Sequence, residues 1–250
     1  MIDSHCHLAD KKFATDLSEV VDRANAAGVD RFVAIADTLE EGERCLELAE
    51  KYDQIFCTIG VHPHTADGWK IEDGRLKIME AAKHSKMVAV GEIGLDYHYM
   101  NSPKEDQIRA FRDQIEIAKE LDLPIVTHNR DSLEDYLEII KDLQPQSLVL
   151  HCNTEKWEDC KELIDLGYLF GFTGIATYSK SEDIRNTIKH CPLEQMMVET
   201  DAPYLSPEMY RGKRCEPAYV IEVARLIAQI KGVSLEEVDR TTTSNAERFY

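Results

Sequence analysis

Eight short apolar segments alternate with stretches of helical periodicity along this sequence, and that alternation restricts the possible folds more than any other feature. The predicted strands cover residues 1–6, 31–36, 55–60, 87–92, 124–128, 147–151, 168–173 and 196–201. Eight strands that alternate with helices over about 250 residues match the (β/α)8 barrel, or TIM barrel, in both number and length. A doubly wound open sheet is the alternative α/β fold.

Helix signals occupy the segments between the predicted strands. Before Gly28, which suits a helix C-terminus, apolar residues recur at intervals of three and four, namely Phe13, Leu17, Val20, Val21, Ala24 and Ala27. Residues 102–105 combine an N-cap serine, a proline at the first helical position and a capping-box glutamate. Residues 131–134 and 234–237 show similar capping patterns, so they also predict helix starts.

The composition is that of an ordinary globular protein of 250 residues, with 43% hydrophobic and 30% charged residues. No linker or repeat interrupts the sequence, so we expect one domain over residues 1–250. Seven cysteines are scattered without a CxxC pair, which favours reduced thiols. No apolar run approaches the ~20 residues that cross a bilayer. Because no basic and apolar leader follows Met1, we expect a cytoplasmic protein without a membrane partner. We also expect a monomer.

The net charge limits how this chain can bind nucleic acid. With 29 Lys and Arg against 47 Asp and Glu, the charge is −18, which argues against binding through broad neutralisation of phosphates. Any polyanionic substrate must therefore be held locally. The run Arg211-Gly212-Lys213-Arg214 follows the last predicted strand, where barrels of this type often bind phosphate, although a solvated run of charges is equally compatible.

Polar side chains with metal-binding chemistry lie at the C-terminal ends of the predicted strands, where barrels of this type build their active sites. They are His5 and His7 on the first strand, Glu92 on the fourth, His128 on the fifth, His151 on the sixth and Asp201 on the eighth. Residues two apart on a strand share a face, so His5 and His7 can hold one ion together. We therefore predict that these six side chains converge on a metal site.

The donor types indicate which ions suit this site. Imidazoles with a few carboxylates favour borderline divalent ions such as Zn²⁺ or Mn²⁺, whereas Mg²⁺ would rely mainly on the carboxylates and water. Four histidines and two carboxylates are too many for one ion, so two ions that share Glu92 are the economical arrangement. Taken singly, each residue also has an ordinary structural alternative. A histidine could be a hydrogen-bonded core residue, Asp201 could be a helix N-cap, and Glu92 could form a salt bridge.

Other residues near these strand ends are weaker candidates. Asp3 and Glu199 could accept hydrogen bonds from ligand histidines, or they are structural ion-pair partners. Arg130 could bind a phosphate oxygen, or pair with an acid at the following helix start. His62 precedes Pro63 at a strand-to-loop turn, so we expect it to contact substrate. No comparable argument applies to His64, His84, His98 or His190.

At these residues the sequence resembles the TatD family of metal-dependent deoxyribonucleases, within the amidohydrolase-like barrel superfamily. The matching segments are residues 3–8 (DSHCHL), 60–63 (GVHP), 91–97 (GEIGLDY), 124–131 (PIVTHNRD), 151–152 (HC), 199–205 (ETDAPYL), 211–214 (RGKR) and 245–246 (NA). They occur in order along essentially the whole chain. Because it has both His5 and His7, the sequence resembles the branch of the family that keeps this histidine pair on the first strand.

The resemblance implies two divalent ions, Mg²⁺, Mn²⁺ or Zn²⁺, with His5, His7, Glu92, His128, His151 and Asp201 as their ligands. It also implies hydrolysis of phosphodiester bonds in DNA, with Asp201 as the general base for an activated water. The strongly acidic surface favours exonuclease action on single strands or ends over clamping of a duplex. The family commonly has an aromatic residue after Cys152, where this chain has Asn153, and this changes the packing expected beside the site.

Two other functions remain open from the sequence. The same metal chemistry could hydrolyse an amide, a lactone or an aminoacyl ester, including deacylation of aminoacyl-tRNA, because barrel and ligands do not specify a substrate. Barrel amidohydrolases often bridge their ions with a carbamylated lysine at the end of the fourth strand, and Glu92 in that strand favours phosphodiesters instead. A non-catalytic metal-binding protein would hold a coordinatively saturated ion with no open position for water. Six ligands shared by two ions leave room for water, which counts against this function.

Overall fold

The computed structural model describes all 250 residues and contains eight strands in one sheet. The strands are β1 (Ile2–Cys6), β2 (Arg31–Ala34), β3 (Ile55–Ile59), β4 (Met87–Asp96), β5 (Ile125–Arg130), β6 (Leu148–Leu150), β7 (Leu169–Phe172) and β8 (Met196–Val198). Their order in the sheet is their order in the chain. This sequential parallel arrangement is that of a (β/α)8 barrel, as predicted, and it excludes the doubly wound sheet, whose strand order is not sequential.

Nine helices alternate with these strands. They are α1 (Leu17–Ala26), α2 (Leu39–Lys51), α3 (Ile71–Ala81), α4 (Lys104–Glu120), α5 (Leu133–Leu143), α6 (Trp157–Asp165), α7 (Glu182–His190), α8 (Val220–Lys231) and α9 (Leu235–Phe249). None of them is both long enough and apolar enough to cross a membrane. Gly28 lies just beyond α1 with a φ of 86°, which fits the predicted C-terminal role of a residue without a Cβ.

The contacts divide the chain into two compact units, and each is described by itself. The first unit comprises Met1–Val33 and Cys152–Phe249. In it, the N–H of Asp201 donates to the carbonyl of His5 over 2.9 Å, and the N–H of His7 donates to the carbonyl of Ala202 over 2.7 Å. The chain after β8 is thereby fixed beside the end of β1. Asn245 of α9 donates to the carbonyl of Met196 over 2.7 Å and anchors that helix to β8.

The second unit comprises Ala34–His151 and Tyr250. All ten residues of β4 are buried, and this strand pairs in parallel with β3 and β5. Gly94 permits the close approach of β5, because a Cβ built at this position would lie 2.0 Å from the carbonyl oxygen of His128. Its φ of 144° is also one that residues with a side chain rarely adopt. Position 94 therefore requires glycine for both reasons.

Several predicted boundaries differ from the observed ones. Strand β4 continues four residues beyond Glu92, because Gly94 and Asp96 stay paired with β5, so Glu92 lies within its strand and not at the end. Strands β6 and β8 are shorter than predicted, and His151 and Asp201 lie just beyond them. Helix α4 begins one residue later than predicted, with Pro103 at the N-cap.

Candidate metal-binding clusters

Two imidazoles and a carboxylate form a cluster in the first unit, defined here as the His5 cluster of His5, His7 and Asp201. Their candidate ligand atoms lie within 4.8 Å of one another. Oδ1 of Asp201 is 3.2 Å from Nε2 of His7 and 3.7 Å from Nε2 of His5. Both histidines are buried, and the Asp201 side chain is 13% exposed. The cluster thus combines three metal-ligand side chains with a limited opening to solvent.

The backbone around β1 and β8 sets the position of the His5 cluster. His5 and His7 project to the same side because they are two residues apart in extended chain. Asp201 adopts a φ of 57°, in the left-handed region that aspartate tolerates better than most residues. This turn, together with the hydrogen bond from its N–H to the His5 carbonyl, directs the Asp201 side chain towards the two imidazoles.

Asp3 supports the turn before Asp201 and not a histidine ring, which corrects the expected role of this residue. Its two carboxylate oxygens accept hydrogen bonds from the N–H of Thr200 over 2.9 Å and from the hydroxyl of Thr200 over 2.6 Å. Complete burial raises the pKa of Asp3 to about 8, against the lowering effect of the Thr200 hydrogen bonds. Glu199, on the other side of Thr200, accepts a hydrogen bond from the N–H of Cys152 over 2.6 Å.

Glu92 is the centre of a second cluster, defined here as the Glu92 cluster of His62, Glu92, His128 and His151 in the second unit. Its side chain is buried, and Oε1 lies 3.1 Å from Nδ1 of His128. The same oxygen is 3.6 Å from Nε2 of His62 and 3.8 Å from Nε2 of His151. Three imidazoles therefore surround one carboxylate oxygen. His62, for which we expected only substrate contact, lies among these ligand-type side chains.

Asp96 is a buried carboxylate for which the sequence predicted no role. Oδ2 lies 2.9 Å from Nε2 of His64 and 3.2 Å from Nε2 of His128. Burial raises the pKa of Asp96, but hydrogen bonds from His128, from the Tyr99 N–H and from His64 outweigh that effect and hold it well below its usual range. Asp96 shares the strand parity of Glu92, which is the sequence signal that could have identified it.

The same interactions affect His128 in the opposite direction. Burial lowers the pKa of His128, whereas hydrogen bonds to Asp96 and Glu92 raise it, and the net result in the absence of a bound ion is a raised pKa. The imidazole is thus held between two carboxylates, one at each ring nitrogen. A histidine fixed at one nitrogen by a carboxylate is the usual arrangement of a metal ligand whose other nitrogen faces the ion.

The basic run 211–214 is partly neutralised by acidic neighbours. The Arg214 guanidinium lies 2.6 Å from Oδ2 of Asp16 and 2.9 Å from Oε1 of Glu216. Arg211 lies 3.5 Å from the carboxylate of Glu208. Arg214 is therefore a structural ion-pair residue, and of the three basic residues Lys213 alone forms no ion pair.

Asn153, where the resembled family commonly has an aromatic residue, is buried within its own loop. Its side-chain oxygen accepts a hydrogen bond from the N–H of Glu155 over 3.2 Å, and its amide nitrogen lies 3.4 Å from Sγ of Cys160. The polar side chain thus stabilises the loop after β6 and packs against α6.

The donor sets of both clusters fit divalent cations. Each offers at least two imidazoles and one carboxylate, which is the chemistry that Zn²⁺ and Mn²⁺ prefer in proteins. The side chains of both clusters are largely withdrawn from solvent, and His128 is held between Glu92 and Asp96. The first cluster can contribute His5, His7 and Asp201, and the second can contribute Glu92, His128 and His151, with His62 beside them.

Comparison with known proteins supports a hydrolytic role for such clusters. The family model described as TatD related DNase matches residues 2–250. An uncharacterized metal-dependent hydrolase, YabD of Bacillus subtilis, is 39% identical over 252 residues, which cover 100% of this chain and 98% of that protein. A 3′-5′ ssDNA/RNA exonuclease, TatD of Citrobacter koseri, is 33% identical over 258 residues, with 100% and 98% covered.

A solved structure gives the corresponding similarity in three dimensions. The crystal structure of YJJV, a TatD homologue from Escherichia coli, superposes with a TM-score of 0.94 at 27% identity. The similarity covers 100% of this chain and 97% of the other. The sequence and structural similarities therefore extend over the whole barrel and are not confined to the motifs around the two clusters.

Proposed function

This chain belongs to the TatD family of metal-dependent hydrolases, and from that premise we propose that it is a deoxyribonuclease that degrades DNA from ends or as single strands. The observation that carries the proposal is the surroundings of Glu92. A buried carboxylate oxygen with three imidazole nitrogens within 3.8 Å is a costly arrangement for packing alone, whereas it is the normal environment of a metal-bridging ligand.

In this proposal, six side chains hold two divalent ions, Mg²⁺, Mn²⁺ or Zn²⁺. Three come from the His5 cluster and three from the Glu92 cluster, namely His5, His7, Glu92, His128, His151 and Asp201. The (β/α)8 fold supports their joint action, because the C-terminal ends of all its strands open on one face. Glu92 would be the ligand that both ions share, and His62, which lies 3.6 Å from Oε1 of Glu92, would contact substrate. The proposal treats residues 1–250 as one functional domain.

When bound, such ions lower the pKa of water and neutralise charge on a phosphate. The protein residues then perform the remaining tasks. Asp201 accepts the proton of the attacking water, for which its partly exposed carboxylate and its position 3.2 Å from His7 are suitable. Arg130 binds a non-bridging phosphate oxygen of the substrate. Asp96 keeps His128 oriented throughout, since it bonds the ring nitrogen opposite the one that faces Glu92.

The charge of the chain supports single strands or ends as the substrate. A protein of net charge −18 lacks the broad basic surface that a duplex clamp needs. The name of the relative from Citrobacter koseri, a 3′-5′ ssDNA/RNA exonuclease, agrees with this choice. We also propose a cytoplasmic location, because seven cysteines without a disulfide are usual in a reducing compartment. The proposed protein acts as a monomer.

Digestion of a single-stranded oligonucleotide tests the proposed function. Copies labelled at the 5′ end and at the 3′ end are incubated separately with Mg²⁺, Mn²⁺ or Zn²⁺, and with EDTA. We expect stepwise shortening from one end that stops with EDTA. Hydrolysis of amide, lactone or aminoacyl ester substrates with no shortening of the oligonucleotide would reject the deoxyribonuclease in favour of the carbonyl hydrolase.

A further inference from the structure

Arg130 is an arginine without a carboxylate partner in a strongly acidic chain. Its guanidinium carbon lies 4.7 Å from the centre of the Tyr99 ring, and the guanidinium makes no hydrogen bond or ion pair with another residue. The neighbouring carboxylate of Asp131, the expected alternative partner, lies 2.9 Å from Nδ1 of His98 instead. The N–H donors at the edge of the Arg130 guanidinium are therefore available to a ligand.

Tyr99 is exposed, yet its backbone is fixed. The side chain is 55% exposed, but Oδ1 of Asp96 accepts the N–H of Tyr99 over 2.9 Å and the N–H of His98 over 3.0 Å. The edges of two imidazoles also contact the ring, with His64 at 5.4 Å and His98 at 4.8 Å between ring centres. A ring on a backbone fixed in this way can hold the Arg130 guanidinium in place.

One carboxylate connects this ring with the Glu92 cluster. Oδ2 of Asp96 lies 3.2 Å from His128, while Oδ1 of Asp96 holds the loop that carries Tyr99. Arg130 follows His128 by two residues in β5, and the carbonyl of Arg130 accepts the N–H of Tyr97 over 2.9 Å. The positions of the guanidinium, the ring and the Glu92 cluster are thereby set by the same short segments of β4 and β5.

The chemistry of this pair fits a phosphate anion within a single strand. A guanidinium held over a ring by a cation–π contact can still offer its N–H donors for two parallel hydrogen bonds to phosphate oxygens. We propose that Tyr99 is a positioning residue that holds Arg130 for the backbone phosphate of a single nucleic acid strand. This inference rests on the proposed function and adds the element that orients its substrate.

Binding of a phosphorothioate oligothymidylate with a fluorescent 5′ label tests the inference, because this analogue resists hydrolysis by the metal-loaded protein. Fluorescence anisotropy gives Kd for the wild type, Tyr99→Phe, Tyr99→Leu, Arg130→Gln and the Tyr99→Leu/Arg130→Gln double variant. Tyr52→Leu is the matched control, because Lys51 lies 5.2 Å above the Tyr52 ring in the same unit. Turnover of bis(p-nitrophenyl) phosphate reports separately whether phosphodiesters are hydrolysed.

We expect Arg130→Gln to raise Kd about tenfold, as for a lost hydrogen bond between charged groups. Tyr99→Leu raises it about threefold through the lost cation–π contact, Tyr99→Phe leaves it unchanged, and the double variant binds no more weakly than Arg130→Gln alone. The slope of log Kd against log salt concentration falls by about 0.7 in Arg130→Gln and also decreases in Tyr99→Leu, because one phosphate contact is weakened.

Three results would overturn the inference. A Kd of Tyr99→Leu equal to that of the wild type excludes a positioning role. Additive effects of Tyr99→Leu and Arg130→Gln on Kd in the double variant exclude it as well. An equal loss in Tyr52→Leu shows that any removed tyrosine weakens binding. If bis(p-nitrophenyl) phosphate is hydrolysed while one of these results is found, the inference fails and the proposed function stands. If the wild type neither binds the oligonucleotide nor hydrolyses the diester, both fail.

Discussion

Oδ2 of Asp96 lies 3.2 Å from Nε2 of His128, on the opposite side of the imidazole from Glu92. This contact makes Asp96 the residue that orients a proposed metal ligand. We expect Asp96→Asn to weaken metal binding about 10- to 100-fold, as is typical when the partner of a ligand histidine is lost. Competition with a chelator of known affinity measures this loss.

Asp131→Asn is the matched control for Asp96→Asn. Asp131 also faces a histidine, His98, over 2.9 Å, but it is exposed and lies outside the clusters. We expect its metal affinity to equal that of the wild type. Equal affinities in Asp96→Asn and the wild type would show that Asp96 has no part in metal binding.

Asp201 is the proposed general base, and its removal is expected to abolish most of the activity. Such a role typically contributes about 10²- to 10⁴-fold to the rate, so Asp201→Ala should retain less than about a tenth of the wild-type oligonucleotide turnover. Because Asp201 is also a proposed ligand, metal content is measured on the same sample. Asp201→Ala with full metal content and more than that residual turnover would remove the assignment of Asp201 as base.

Gly94 is expected to be essential for stability. In Gly94→Ala, a methyl group 2.0 Å from the His128 carbonyl must displace β5, and the φ of 144° is strained. We expect a loss of about 3 kcal/mol or more in the free energy of unfolding, measured by chemical denaturation. Gly68→Ala is the control, because a Cβ there meets nothing within 4 Å. Equal stability of the two variants would contradict the close approach of β4 and β5.

The sequence predicted the His5 cluster in part because its key spacing is local. His5 lies in β1 and His7 directly follows its last residue, Cys6, so their common side follows from the alternation of side chains in extended chain. The eight-stranded barrel was likewise predictable, because strand and helix patterns repeat in regular order. Both predictions depend on residues close in sequence.

The role of Asp96 was missed, although its strand parity with Glu92 could have indicated it, because Glu92 was expected to end its strand. Pairing with β5 extends β4 to Asp96 through Gly94, and glycine inside a strand weakens the sequence signal for it. His64 was likewise dismissed, since its partner Asp96 lies 32 residues away. The partner of Arg214 is Asp16, 198 residues away, so spacing could not show that this arginine forms an ion pair.

The ion pairs of Arg214 predict a pH dependence of stability. Hydrogen bonds to Arg214 and Arg23 lower the pKa of Asp16. Burial raises the pKa of Glu216, but hydrogen bonds to the same two arginines outweigh burial, so the pKa of Glu216 is also lowered. A carboxylate whose pKa is lower in the folded than in the unfolded protein stabilises the fold fully when the pH is above its unfolded pKa. This stabilisation is lost as the pH falls through the pKa of the folded protein. The wild type should therefore lose more stability than Arg214→Gln as the pH falls from neutral to below the ordinary carboxyl range.

Chemical denaturation of both proteins at a series of acidic pH values measures this difference. Arg109→Gln is the control, because Arg109 forms an exposed pair with Asp106 within α4, and exposed pairs of this kind contribute little. Its stability should follow the wild-type pH dependence. Parallel curves for the wild type and Arg214→Gln would show that the Asp16 and Glu216 ion pairs do not contribute to the acid sensitivity.

The His5 and Glu92 clusters are proposed to bind two divalent cations together. Anomalous diffraction from crystals grown with Mn²⁺ or Zn²⁺ tests this proposal directly, because the ions are located without reference to activity. We predict two peaks about 3.5–4 Å apart, both beside Glu92, one also bound by His5 and His7 and the other by His128. A single peak, no peak, or peaks bound by residues outside the two clusters would contradict the account.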